Sequence, residues 1–160
     1  MAKKIVLADQ PPVPEEIQNP DVLATFLASS LDLIPRKGKG DVAVKLLQIF
    51  TRIAGKRDET IVINGRKIPV KNGAIKVEDL HFWLQAEGVS IGLSQLYTTY
   101  LSRLIERGIV VKKKHSMYGL RADRLEDTMM EIERDARSIV EKLRSHAKRL
   151  EKVLSTRKGV

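Results

Sequence analysis

The sequence predicts a mainly α-helical protein with a small β-sheet and a long C-terminal helix. Three observations support this fold class. Apolar residues in several segments recur at the three- and four-residue spacing of amphipathic helices. Two β-rich runs are joined by Asn64-Gly65, and another leads into three adjacent lysines. An apolar heptad pattern then continues through the C-terminal segment.

Composition limits the classes of function. The chain has 160 residues, a formal net charge of +9 and a pI near 9.9, which favours acidic partners such as nucleic acid. It contains no cysteine, which excludes disulfides, thiolate metal sites and cysteine nucleophiles. The apolar run at residues 5–8 is too short for a signal peptide or a membrane span. We therefore expect a cytoplasmic protein with no membrane partner.

Residues 1–40 are predicted to form an N-terminal arm and a helix. Asn19, Pro20 and Asp21 have the order of a helix cap, a first helical proline and an early acid. The helix should end before Pro35, and whether it packs on its own chain or on another is left open. Its expected inner residues are Val22, Leu23, Phe26, Leu27 and Leu31.

Residues 41–123 are predicted to form the central domain. The apolar positions between residues 42 and 54 mark an amphipathic helix. Asn64-Gly65 is a strong hairpin signal and places an inserted hairpin at 60–70. A short strand at 73–76 should precede a helix at 77–87, which Gly88 ends.

The next predicted helix, from about Leu93 to Arg107, has two dissimilar faces. One arc is apolar, and it contains Leu93, Leu96, Tyr97, Tyr100, Leu101 and Leu104. The opposite arc consists mainly of short polar residues, although Ser and Thr are poorer helix formers than the Lys and Glu of ordinary solvated faces. Short polar side chains allow a helix to enter the major groove of DNA. An ordinary solvated face is the alternative.

A basic hairpin is expected to follow this helix. We expect Gly108 to end the helix, because glycine adopts the left-handed conformation of a helix cap without steric cost. A strand should begin at 109–111, and a second strand should return at 117–120. The charged turn between them suits contacts with phosphates.

The order of strand, helix, turn, helix and basic hairpin resembles the winged helix-turn-helix family of DNA-binding domains. The resemblance implies that residues 94–103 form the recognition helix and that residues 112–115 form the tip of the wing. Expected contacts to bases come from Arg103, Gln95, Thr98 and Thr99. Expected contacts to the DNA backbone come from Ser94, Ser102, Lys112, Lys113, Lys114 and His115.

The C-terminal segment, residues 124–158, is predicted to be a coiled-coil dimerisation helix. Its seam consists of Leu125, Met129, Ile132, Ala136, Ile139, Leu143, His146, Leu150 and Val153. An antiparallel homodimer is favoured because it sets Asp135 against Lys142 of the partner. A monomer whose long helix folds onto its own domain is the alternative.

The three histidines are scattered, and the acidic pairs lie at predicted helix starts, so we expect no metal site, no cofactor and no catalysis. The sequence thus predicts a homodimeric, sequence-specific binder of double-stranded DNA, and most simply a transcriptional regulator. The rival is a winged-helix scaffold in a replication, segregation or chromatin assembly, which would work through the long coiled coil and the inserted hairpin. The 60–70 hairpin and the N-terminal arm are the candidate contacts for a protein partner. RNA is disfavoured because an exposed aromatic platform is missing.

Overall fold

The computed structural model describes residues 4–156. Two residues of the predicted C-terminal segment, 157 and 158, lie outside this range. Four helices are regular: α1 is Pro20–Ser30, α2 is Gly40–Ile53, α3 is Val77–Ala86 and α5 is Leu125–Thr156. The remaining long helix, α4, consists of an α-helical start Leu93–Gln95, a π-helical segment Leu96–Leu101 and an α-helical end Ser102–Glu106.

Five strands form one antiparallel sheet in the order β1-β2-β3-β5-β4. They are β1 Asp58–Ile63, β2 Arg66–Lys71, β3 Ala74–Lys76, β4 Val110–Lys113 and β5 Met117–Leu120. The predicted 60–70 hairpin is β1–β2. It extends the sheet on the side of β3 opposite to β5, so both predicted hairpins belong to a single sheet.

Two backbone features fix this topology. Asn64 and Gly65 both have positive φ, 46° and 81°, as the tight turn of a right-twisted hairpin requires. At the centre of the sheet, Gly119 of β5 passes so close to Gly73 that an added Cβ would lie 2.2 Å from the Gly73 carbonyl oxygen. A residue with a side chain at 119 would therefore separate β5 from β3.

The core lies between the sheet and the helices. The apolar positions predicted for α2 are all buried, including Leu46, Phe50 and Ile53, each at 0% exposure. Trp83 and Leu84 of α3 are also fully buried. The mainly α class with a small sheet and a long C-terminal helix is confirmed.

α1 forms where predicted, and its buried face is partly the predicted one, because Leu31 is 6% exposed and Leu27 packs against the core. The Asn19 side chain caps it by accepting hydrogen bonds from the N–H groups of Asp21 and Val22, at 2.8 and 3.3 Å. Its buried residues are Ala24 and Ala28, whereas Val22 and Leu23 are exposed by about two fifths. Small side chains are buried because α1 lies close to α2. The prediction of Val22 and Leu23 as inner residues was wrong.

The N-terminal arm runs along its own domain. The N–H of Lys4 donates to the carbonyl of Glu106 at 3.2 Å, and that of Ala8 donates to the carbonyl of Ser30 at 2.8 Å. Ile5 packs against the core from the same segment. In this structure the arm therefore contacts its own chain.

The long helix α5 has two halves with different surroundings. In the first half Thr128 and Ile132 are buried, at 0% and 3% exposure, and Leu125 and Met129 pack against the core. The second half, from residue 139 onward, is exposed along its whole length. We call its apolar face the distal stripe, which consists of Ile139, Val140, Leu143, His146, Ala147, Leu150, Val153 and Leu154.

Arg121, at the end of β5, holds the first half of α5 in place. Its guanidinium donates to Asp135 at 3.2 Å and to Glu131 at 3.5 Å. The hydrogen bond to Asp135 raises the pKa of Arg121, and the two carboxylate charges act in the same direction. Across residues 4–156, no helix combines the length and the apolarity needed to cross a membrane.

Candidate nucleic-acid interface

The candidate surface includes the polar face of α4. Ser94, Gln95 and Thr98 are exposed, and Thr99 and Ser102 are half-buried. The hydroxyls of Thr98 and Ser102 donate to the carbonyls of Ser94 and Thr98, one helical turn earlier. These hydroxyls therefore present mainly acceptor lone pairs outward. Gln95 is the residue of this face that offers both amide donors and an amide acceptor.

The π-helical segment changes which α4 residues face solvent. Leu96, Tyr100, Leu101 and Leu104 are buried, but Leu93 and Tyr97 are 41% and 45% exposed. A π turn contains about one more residue than an α turn, so it shifts the phase of the residues that precede it. The prediction that Leu93 and Tyr97 belong to the buried arc was wrong for this reason.

Arg103 points to the domain. Its Nε donates to the Asp32 carbonyl at 2.8 Å, and its guanidinium forms an ion pair with the Asp32 carboxylate at 2.9 Å. The buried Arg107 binds the same carboxylate at 2.8 Å. Burial acts to raise the pKa of Asp32, but the hydrogen bonds from Arg107 and Arg103 outweigh it and hold the pKa below its ordinary value. The structure thus gives Arg103 a role in attaching α4 to the loop after α1.

The tip of the β4–β5 hairpin is basic and exposed. Lys112, Lys114 and His115 point to solvent. Lys113 is only partly exposed, because its Nζ donates to the Asn72 carbonyl at 2.8 Å and so ties the hairpin to the β2–β3 turn. His115 and Ser116 both have positive φ, 60° and 55°, a conformation that non-glycine residues seldom adopt.

Two tyrosines join α4 to this hairpin. The rings of Tyr97 and Tyr118 meet edge to face, with centroids 6.2 Å apart and planes at 78°. The Tyr118 hydroxyl donates to that of Tyr97 at 3.4 Å. Burial raises the pKa of Tyr118 to about 12, and the hydrogen bond to Tyr97 acts in the same direction. Tyr118 therefore stays neutral. The contact between the two rings holds α4 beside the basic hairpin.

Comparison with known proteins adds no family. No family model, curated protein or solved structure matches this chain. The function therefore has to be inferred from the geometry of the surface itself.

An open depression of about 620 Å³ lies between the hairpin tip, β2 and the start of α3. Two cationic side chains that sequence reasoning missed, Arg66 and Lys76, line it. Lys112 and His115 also line it, as do the carboxylates of Glu78 and Asp79. Arg66 comes from the inserted hairpin, so only the folded sheet brings it here. The inserted hairpin and the tip of β4–β5 thus contribute to one surface.

Arg66 also fixes the position of the inserted hairpin. Its guanidinium binds the buried Asp79 carboxylate at 2.8 Å and lies over the Phe82 ring, 4.9 Å from the ring centroid. The sequence explained Asp79 by its place in the first turn of α3. The residues around Asp79 gave no signal for this pair, because only the folded sheet brings Arg66 to Asp79.

The histidines lie apart. His81 is half-buried, with its Nε2 2.6 Å from the Ile91 carbonyl, and His146 lies on the exposed half of α5. Within residues 4–156, no three His, Asp or Glu side chains come close enough to hold a metal ion.

Proposed function

We propose that the protein binds double-stranded DNA as a sequence-specific homodimer and serves as a transcriptional regulator. On this proposal, α4 enters the major groove and the β4–β5 hairpin contacts the phosphates. The interface would include Ser94, Gln95, Thr98, Thr99, Ser102, Lys112, Lys114 and His115, with Arg66 and Lys76 beside them.

The order of the elements supports a winged helix-turn-helix reading. The helix α2 is followed by the short strand β3, the pair α3 and α4, and then the hairpin β4–β5. β3 pairs with β5, so the three strands that the resemblance requires are neighbours in the sheet. The inserted hairpin β1–β2 only extends that sheet and leaves this arrangement intact.

The observation that carries the proposal is the contact between Tyr97 and Tyr118. It places a helix face of exposed Ser, Gln and Thr next to an exposed Lys-rich tip. Phosphate contacts position a protein on DNA, whereas contacts to base edges supply specificity. The two kinds of group are adjacent on one surface here, as such a division of roles requires.

Among the α4 residues, Gln95 is the best candidate for reading a base. A glutamine amide can bind both N6 and N7 of adenine, and a good bidentate pair discriminates by about 1–3 kcal/mol. The hydroxyls of Thr98 and Ser102 use their hydrogen atoms in hydrogen bonds to helix carbonyls. We therefore expect them to accept a hydrogen bond or to contact a thymine methyl group.

The test is selection of binding sites from a random duplex library, followed by affinity measurements on the selected and scrambled sequences at about 50 and about 200 mM salt. The proposal expects an inverted repeat with a clear preference over scrambled DNA. Equal affinity for every duplex would contradict it.

Two substitutions distinguish residues that read bases from residues that contact phosphates. Gln95→Ala should reduce the preference for the selected sequence and leave the affinity for scrambled DNA unchanged. Lys114→Gln should weaken binding to all sequences and lower the salt slope by about one. Lys148→Gln removes the same charge from the exposed half of α5 and should change neither quantity.

Exposed apolar surface favours a second candidate, a scaffold that joins proteins. An open cavity of about 560 Å³ lies between α1 and α2, with Leu23, Leu27 and Leu47 among its mainly apolar lining. The distal stripe offers another such surface. A scaffold would bind DNA without sequence preference, so the same selection experiment distinguishes the two candidates.

A further inference from the structure

The distal stripe is an apolar surface that the domain leaves uncovered. Six of its large side chains are between 37% and 63% exposed: Ile139, Val140, Leu143, Leu150, Val153 and Leu154. They recur at heptad positions a, d and e, and the segment Ile139–Thr156 spans about 27 Å at the rise of an α-helix. We propose that this segment forms a parallel two-stranded coiled coil with the same segment of a second copy of the chain.

This inference rests on the homodimer of the proposed function and specifies where and how the two copies meet. It does not depend on DNA. The antiparallel dimer expected from the sequence used the whole seam and paired Asp135 with Lys142 of the second copy. In the structure Ile132 is only 3% exposed and Asp135 is bound to Arg121, so the first half of α5 already has its partners in its own domain.

Charge then decides the orientation of the second half. The g positions of this half are Lys142 and Arg149. An antiparallel pairing centred in the exposed half sets Lys142 against Arg149 of the second copy, twice by symmetry. Like charges that face each other disfavour this pairing.

A parallel pairing removes the conflict. It places the g residues against e residues of the second copy, which here are Ala147 and Leu154. The aliphatic stems of Lys142 and Arg149 can cover these apolar side chains while their charges stay in water. Apolar residues at e positions are unusual in a two-stranded coiled coil, and this packing against the g residues explains them.

The composition of the stripe favours a second copy over a lipid surface. Helices that lie in a membrane interface commonly carry aromatic residues on the apolar face. Residues 139–156 contain no aromatic ring other than the imidazole of His146, which interrupts the stripe at a central d position. A single polar residue at such a position is a feature of coiled coils that specify one register.

Association is measured first, by sedimentation equilibrium of the full chain without DNA over a wide range of concentrations. We expect a dimer with a micromolar dissociation constant. Leu143→Asp should raise that constant at least tenfold and leave the fold intact, because Leu143 is 63% exposed. The matched control is Ser145→Asp, which adds the same charge on the opposite face of the helix and should change the constant less than twofold.

Orientation is measured with single cysteines, since the natural chain contains none. In a parallel pair, Val153→Cys brings the two thiols together and should form a disulfide dimer on mild oxidation. In an antiparallel pair centred in the exposed half, the two residues lie about 25 Å apart and cannot be bridged. Ser155→Cys points outward in either case and controls for collisions.

Several outcomes would overturn the inference. These are a wild-type monomer throughout the concentration range, equal dissociation by Leu143→Asp and Ser145→Asp, or equal cross-linking of the two cysteine variants. A monomer that binds vesicles of anionic lipid through this helix would also overturn it. Specific DNA binding by a monomer would contradict this inference and the homodimer, but it would leave sequence-specific DNA binding standing. A parallel dimer that binds no DNA would support this inference and contradict the DNA-binding part of the proposed function.

Discussion

The first half of α5, residues 125–136, and its second half, residues 139–156, follow one heptad pattern but differ in burial. Ile132 in the first half is 3% exposed, whereas Leu143 in the second half is 63% exposed. The heptad pattern predicts that a helix has an apolar face, but it does not predict which residues pack against that face. In this chain the domain covers one half of the seam and leaves the other half exposed.

The ion pairs of α5 differ in the same way. Arg121 reaches the first half from β5 and is 16% exposed, so the bridge connects two elements of the fold. Arg137 binds Glu133 within the helix at 3.0 Å, and both side chains are about 70% exposed. Contacts that join elements depend on the fold, but contacts within one turn of a helix do not.

The largest expected effect is the loss of a buried side chain from the first half. Ile132→Ala should lower the free energy of unfolding by about 2–4 kcal/mol, because it leaves a cavity where α5 packs on the domain. Chemical denaturation followed by circular dichroism at a low, fixed protein concentration measures this quantity.

Leu143→Ala is the matched substitution in the second half. It should change the stability of the monomer by less than about 0.5 kcal/mol, because the side chain is exposed. Comparable losses for Ile132→Ala and Leu143→Ala would mean that both halves are packed in solution.

Ile132 and Leu143 also show what the sequence can predict about this helix and what it cannot. The heptad pattern places Ile132 and Leu143 on one seam, and the helix that carries them is observed. Only the folded domain distinguishes them, because Ile132 is covered by residues distant in the chain. The same limit applies to Asp135, whose partner could equally have been Lys142 of a second copy or Arg121 of its own chain.

In the fold and at the candidate interface, features that depend on neighbouring residues were predicted better than features that depend on residues distant in the chain. The Asn64-Gly65 turn, the cap at Asn19 and the basic tip at residues 112–115 follow from neighbouring residues and are observed. The roles of Arg103 and Arg66 do not, because Asp32 and Asp79 reach them only through the tertiary fold. The π-helical segment of α4 also lacks a simple sequence signal, and it changed the exposure of Tyr97.

An intermediate effect is expected where β5 is attached to the first half of α5. Arg121→Met keeps much of the aliphatic stem and removes the hydrogen bonds to Asp135 and Glu131. It should destabilise the protein by about 1–3 kcal/mol, because two partly buried carboxylates lose a charged partner. Thermal or chemical unfolding measures the loss. Asp135→Asn, which keeps one acceptor, should cost less than Arg121→Met, and the opposite order would assign the stabilisation to other contacts of Asp135.

The smallest effect is expected at the exposed ion pair within α5. Arg137→Gln removes the bridge to Glu133 and keeps a good helix former, so the free energy of unfolding should change by less than about 0.5 kcal/mol. The same unfolding experiment measures it, and raising the salt concentration should remove even this difference. A loss as large as that of Arg121→Met would show that this turn is buried in solution. Because Arg137 lies just before the distal stripe, such a loss should then also depend on protein concentration, as association of the second half requires.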